Sequence, residues 1–272
     1  MLSLFCLCSI TLAQPRIDPV PGGIALIPIP DEQPLPEVYY NNKRTAIIDL
    51  DGKPHAMVGI PLGTKPGTQS INLHWPSKPD QSRNFSVKSK QFETQYLTIK
   101  NKRKVNPTKE DMKRIEKERI KKARAKRHWS DAPVKTRFII PVEGRISSNF
   151  GLRRFFNNQP RRPHSGLDIA AAEGTPIKAV ESGTVIEADN FFFSGNMVYL
   201  DHGQGLISLY AHMHSINVKP GDQVKQGQII GTVGQTGRVT GAHLHLAVMA
   251  NQTTIDPALL LPTLETASGT TN

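Results

Sequence analysis

Apolar and polar positions alternate along much of the first hundred residues. Ile71-Asn72-Leu73-His74-Trp75 alternates strictly, the period of a strand with one face in a core. Gly22-Gly23-Ile24-Ala25-Leu26-Ile27-Pro28-Ile29 is a mixed apolar run interrupted by proline. Residues 46–50 and 56–60 flank Asp51-Gly52, a dipeptide that suits a tight hairpin turn. Residues 85–87 and 96–99 add further strand-like runs. Short strands separated by Pro and Gly predict a small β-sandwich over 14–100. Its lone histidines, His55 and His74, form no constellation and are expected to be surface or core residues.

The period changes after Asn106-Pro107. Thr108 is placed to cap a helix, with Glu110 and Asp111 in the first turn, where the helix dipole favours them. Met112, Ile115, Arg119, Ile120 and Ala123 mark a thin stripe, and most other positions are Lys or Arg. This predicts a basic helical linker over 101–135. From Phe138 the texture is β again. Fifteen of the 21 glycines lie from Gly144 onward. Strand-like runs recur at 137–142, 167–169, 175–180, 183–188, 197–201, 206–211, 228–233 and 243–248, with no long helical pattern. The fold class expected is mainly β, with a compact antiparallel domain over 136–262. A Ser/Thr-rich flexible tail is expected at 263–272.

Charge changes this picture at one place. The chain of 272 residues has a formal charge of +11, and residues 101–128 hold thirteen Lys/Arg against four Asp/Glu. The basic character is largely a property of this one segment. It reads either as a solvated linker with one face docked or as a contact with anionic cell-envelope surfaces such as wall polymer or lipid headgroups. No nucleic acid partner is expected. The apolar, uncharged start over 1–13 ends in Thr11-Leu12-Ala13 and reads as a cleaved signal peptide, too short to span a membrane. Both cysteines, Cys6 and Cys8, lie within it. The mature chain would then have no disulfide, and a metal site would need His, Asp or Glu.

Three pieces of the β-rich half carry candidate chemistry. His243-Leu244-His245 in a strand puts both imidazoles on one face and the leucines on the other. His164 and Asp168 are four apart, with Pro163 and Gly166 placing them on a loop that enters a strand. Asp168, between Leu167 and Ile169, would be a carboxylate in apolar surroundings, costly unless paired or metal-bound. His212 follows Tyr210-Ala211. Each piece alone also fits an exposed side chain. Together, two imidazoles and a carboxylate without a thiolate suit catalytic zinc, with the remaining position left to water. Either histidine of the 243/245 pair could ligate while the other faces that water.

In combination these residues resemble the lysostaphin/LytM-type zinc metalloendopeptidases, which cut peptidoglycan peptides. The similarity rests on Ser148-Asn149-Phe150-Gly151-Leu152-Arg153, His164-Ser165-Gly166-Leu167-Asp168, Asp201-His202-Gly203, Leu209-Tyr210-Ala211-His212, Val218-Lys219-Pro220-Gly221-Asp222, Gly227-Gln228-Ile229-Ile230-Gly231, residues 234–241 and His243-Leu244-His245, in the family's order over 138–262. The N-terminal β segment with its basic helix resembles, more loosely, the Ig-like leader of some Gram-negative members. The resemblance implies one Zn2+ held by His164, Asp168 and His245. It implies His243 as general base and His212 as the group facing the oxyanion, with those roles open to exchange. Tyr210 falls at a position near the cleft, His202 at a structural turn, and His214 is incidental. Ala242 stands where the family has proline, and Leu246 where an aromatic is frequent, which bears on cleft shape rather than on ligands.

The implied function is a secreted zinc endopeptidase of the periplasm or cell envelope that hydrolyses peptidoglycan cross-links. The bond between D-alanine and diaminopimelate is the expected target, on analogy. Two alternatives differ in class. A catalytically inactive LytM-type activator of a cell-wall amidase would be expected to lack ligands that are present here. A biotinyl/lipoyl-type carrier shares the glycine rhythm of 218–231 but needs a modifiable lysine at a tight turn, and no such motif is seen.

Overall fold

The structure, a computed structural model, describes residues 15–262. The expected signal peptide at 1–13 and tail at 263–272 lie outside them. Six strands open the chain: β1 (Ile24–Pro28), β2 (Glu37–Tyr40), β3 (Lys43–Leu50), β4 (Lys53–Gly59), β5 (Gly67–Trp75) and β6 (Lys78–Val87). They form one antiparallel sheet in the order β1-β4-β3-β2-β5-β6. Strand β3 belongs to both halves, because Lys43, Arg44 and Thr45 pair with β2 while Ala46 to Leu50 pair with β4. The sheet folds over into two layers, and Ile27, Val38, Val58, Ile71, Leu73 and Trp75 meet between them. At the predicted hairpin, Asp51 and Gly52 have φ of 53° and 76°, the left-handed pair that matches strand twist.

The second half is a ten-stranded sheet. Its strands are β8 (Arg145–Ser148), β11 (Leu167–Ala170), β12 (Pro176–Lys178), β13 (Gly183–Phe191), β14 (Gly195–Asp201), β15 (Ile207–Ile216), β16 (Gln223–Val224), β17 (Ile229–Val233), β18 (His243–Ala250) and β19 (Thr253–Ile255). The main path is β16-β13-β14-β15-β18-β11-β8; β17 pairs with β15 and β12, and β19 with β18. Residues 137–142 were expected as a strand but form none. Pro141 lacks an N–H, and only Ile139 N and Pro141 O bond to the neighbouring segment, at Val180 O and Lys178 N.

The two halves share apolar contact. Strands β1 and β4 are apolar on both faces, and Ile24 and Met57, with Ala46 and Ile48 of β3, join the core of the second sheet. Asn251, in the β18–β19 turn, accepts from Gly59 N at 2.6 Å and donates to Gly59 O at 2.9 Å. A further link is β7 (Thr94–Leu97), which pairs in parallel with β9 (Arg153–Phe156); β10 (Gln159–Pro160) completes a three-stranded sheet.

Helix α1 (Lys109–Lys126) starts where predicted, with Thr108 and Asp111 forming a reciprocal capping box. The face that docks is not the expected apolar stripe. Met112 and Ile120 are exposed, whereas Asp111, Glu118 and Ala125 are buried. The reason is the surface opposite: Glu118 accepts from Phe192 N at 2.9 Å, Arg114 donates to Asn190 O, and Lys121 and Arg124 pair with Asp189 and Glu187 of β13. A polar sheet edge selects a polar helix face. A groove of about 570 Å³ along this seam, lined by Lys117, Lys121 and Asp189 among others, shares no residue with the histidine cluster described next. Among the described residues, no helix is long and apolar enough to cross a membrane.

Candidate metal centre

The register of two strands assembles the centre. Asp168 of β11 lies directly opposite His245 of β18, and Ala170 opposite His243. Leu244 and Leu246 point to the other side and are fully buried, as the alternation predicts. His164 sits on the loop before β11, where Gly151 N donates to its carbonyl and its own N donates to Leu152 O. Gly166 lets the His245 ring pack closely: a Cβ there would stand 2.4 Å from Leu246 O and 2.7 Å from His245 Cε1.

His212 is positioned differently. Strand β15 carries an extra residue against β14 between the Asn196–Met213 and Val198–Tyr210 pairs, a bulge that re-aims a side chain. His212 there has φ of 64°, a left-handed conformation that costs energy for a residue with a Cβ and is held by its surroundings. Its N donates to Ser194 O at 2.9 Å. Its ring centroid lies 4.9 Å from that of His243 and 5.9 Å from that of His245.

Three of the histidines share one device. His164, His212 and His243 each place Nδ1 beside a backbone carbonyl, at 2.7 Å from Asn149 O, 2.8 Å from Thr236 O and 2.9 Å from Gly241 O. A carbonyl oxygen only accepts, so the hydrogen bonds assign the proton to Nδ1 and leave a lone pair on Nε2 of the neutral ring. Burial pushes His164 down to about 4 and, with the nearby His243 and His245, holds His212 well below the usual imidazole value. Burial likewise lowers His243. All three rings are therefore neutral near pH 7.

His164 Nε2, Asp168 Oδ1 and His245 Nδ1 converge. The separations are 3.0 Å from His164 to Asp168, 3.1 Å from His164 to His245 and 2.7 Å from His245 to Asp168. Burial opposes the charge of Asp168, but the two imidazoles beside it, His164 and His245, hold its carboxyl well below the carboxylate range. With the His164 proton committed to Asn149, at most one proton, on His245 Nδ1, can lie among these three electron-rich atoms. A divalent cation bound by nitrogen and oxygen suits such a trio, and no other His/Cys/Asp/Glu group among the described residues forms one. The residues present fit the zinc ion that the sequence implies.

The remaining histidines stay apart. His202 is buried against Ser182 O at 3.0 Å and Ser208 Oγ at 2.7 Å. His214 is exposed and pairs with Glu173. Tyr210 is in the core: Val180 N donates to its hydroxyl at 2.8 Å. Sequence reasoning missed Arg154, whose Nη2 donates to Asp168 Oδ2 at 2.9 Å. The quoted motif stopped one residue short of it, and the pull of a part-buried arginine toward a carboxylate was the available signal.

An antiparallel sheet presenting a His/Asp/His trio beside two further histidines is an arrangement suited to a metal-dependent hydrolase. Residues 162–257 match Peptidase family M23, and residues 18–90 match the Peptidase family M23 N-terminal domain. A crystal structure from Pseudomonas aeruginosa, described as a peptidase M23, is similar with a TM-score of 0.75 at 39% identity, covering 89% of this chain and 95% of that one. The chain belongs to peptidase family M23. Two curated relatives, both from Vibrio cholerae, are the peptidoglycan DD-endopeptidases ShyC, 42% identical over 127 residues, and ShyA, 43% identical over 110 residues. These alignments cover 46% and 40% of this chain but only 29% and 26% of the relatives.

Proposed function

We propose that the chain is a zinc-dependent endopeptidase that hydrolyses peptide cross-links of peptidoglycan in the periplasm or cell envelope. One observation carries the reading: the convergence of His164 Nε2, Asp168 Oδ1 and His245 Nδ1 beside two histidines whose Nε2 lone pairs are free. The substrate class is supported by the relatives described as peptidoglycan DD-endopeptidases. Three ligand-type side chains together with His212 and His243 favour an enzyme over a non-catalytic amidase activator.

His164, Asp168 and His245 would hold the zinc ion, which would supply Lewis acidity and lower the pKa of water toward about 7. His243 Nε2 lies 3.8 Å from Asp168 Oδ1, and its lone pair would serve as a general base for a proton released at the centre. Its Nδ1–H stays on Gly241 O and fixes the ring during the transfer. His212 faces the developing oxyanion when its Nε2 carries a proton, and the negative charge then offsets the cost of a buried imidazolium. The proton taken up by His243 then goes on to the leaving amine. Exposed Lys109, Lys113 and Lys117 of α1 offer a basic surface to anionic envelope polymers, while Arg114 and Arg124 are engaged in docking.

Purified sacculi incubated with the protein, with and without chelator, test the reading, with released muropeptides identified by mass. Chelator-sensitive cleavage of cross-links is expected; no peptide cleavage would sink the enzyme assignment.

A further inference from the structure

Asp168 is held from two sides, and the sides belong to different parts of the chain. Its Oδ1 faces the histidines. Its Oδ2 accepts from Arg154 Nη2 at 2.9 Å. The same Nη2 lies 2.8 Å from Ser148 Oγ, and Arg154 Nε donates to Gln95 Oε1 at 3.1 Å. Ser148 Oγ also donates to Gln95 Oε1, at 3.2 Å. Arg154 and Asp168 are both largely shielded from water, with side-chain exposures of 15% and 10%, so these contacts are not a screened surface pair. Gln95 is no chance neighbour. It lies opposite Arg154 in the parallel β7–β9 pairing, and β7 precedes helix α1, whereas every metal-ligand candidate follows it.

We infer that Arg154 is a positioning residue that reserves Asp168 Oδ2, so that the carboxylate meets the metal through Oδ1 alone, and that Gln95 holds Arg154 in that pose. The inference rests on the zinc reading above. A carboxylate with both oxygens free can turn to bind a cation through either or both. With Oδ2 taken by a guanidinium, the carboxylate plane is fixed and one oxygen is presented. Gln95 supplies only an acceptor here and fixes the guanidinium from the far side. The centre is therefore completed by a residue from the segment that joins the leader sheet to the helix.

Charge complicates the obvious substitution. Removing the guanidinium would also remove its repulsion of a divalent cation, and the two effects have opposite signs. Charge-conserving variants avoid this. Arg154→Lys keeps the cation but cannot reach Asp168, Ser148 and Gln95 together, and Gln95→Ala leaves every charge in place. Groups that orient metal ligands are worth about ten- to a hundredfold in metal affinity.

The test uses the full chain, with Zn2+ affinity measured by chelator competition and Co2+ as a spectroscopic substitute. Arg154→Lys is expected to weaken Zn2+ binding about tenfold or more. It is also expected to lower the visible absorption per bound Co2+, because Asp168 Oδ2 joins the coordination. Gln95→Ala is expected to move both readouts the same way, less strongly, and to add nothing when combined with Arg154→Lys. A purely structural role for either residue would shift the melting temperature and leave the cobalt spectrum alone. Folded variants with wild-type affinity and spectrum would overturn the inference. If Arg154→Lys does not fold, Gln95→Ala decides by the same two readouts. A wild-type chain that binds neither metal would remove the zinc reading itself, a separate outcome.

Discussion

Asp168 and His245 stand directly opposite each other on β11 and β18, with Oδ1 of one 2.7 Å from Nδ1 of the other. His243, two residues along the same face, approaches that oxygen only to 3.8 Å. One strand thus offers two imidazoles at two distances from one carboxylate, and the nearer belongs to the trio.

The first prediction separates them. His245→Ala is expected to lose bound zinc and activity together. His243→Ala is expected to keep zinc and lose about 10²–10⁴ in turnover, the usual contribution of a proton carrier. Metal content by atomic emission beside cleavage of purified muropeptides checks both. Equal loss of metal in the two variants would show that the division of roles is wrong.

The second concerns the floor under His245. In Gly166→Ala the new Cβ would meet Leu246 O at 2.4 Å and His245 Nε2 at 2.8 Å. Backbone on a central strand cannot give way cheaply, so both the loop carrying residue 166 and the His245 ring have to shift. A stability loss of about 1–3 kcal/mol is expected, with zinc affinity reduced as well. Wild-type zinc affinity in this variant would mean the strand relaxes instead of the ring.

Much of the centre was legible because its determinants are local. The His243-Leu244-His245 alternation fixes which side chains face the site, and the Pro163 to Gly166 stretch marks a loop feeding the strand of Asp168. What was not legible depends on pairing between distant segments. Nothing near Gln95 signals that β7 leaves the leader core to lie beside Arg154. The left-handed backbone of His212 comes from a bulge set by its pairing with β14. The docking face of helix α1 is hidden from the sequence for a related reason. Met112 and Ile120 formed the visible stripe, but the docking surface presents Phe192 N and the carboxylates of Asp189 and Glu187, which only the fold places together.

The third prediction tests how firmly the two halves are joined. Asn251 makes two hydrogen bonds to the backbone of Gly59 and is 3% exposed. Its φ of 37° also suits Asn better than Ala. Asn251→Ala strands a buried N–H and a buried carbonyl, and is expected to cost about 2 kcal/mol or more. Denaturant unfolding measures this, and a change under 0.5 kcal/mol, as for an ordinary surface substitution, would mean the seam does not depend on this contact.

The last concerns pH and a histidine outside the metal centre. Burial pushes His202 down to about 4, against an ordinary value of about 6.5. Above pH 6.5 the ring is neutral in folded and unfolded chains alike. As pH falls from 6.5 toward 4 the unfolded chain takes up a proton that the folded chain does not, so stability falls, by at most about 3 kcal/mol. Below about 4 both forms are protonated and the loss is complete. Other buried histidines titrate in the same window, so the measurement is a difference. His202→Gln should lose less stability than wild type between pH 6.5 and 4, whatever its stability at pH 7. Parallel pH profiles for the two proteins would show that the ring of His202 does not resist protonation in the folded chain.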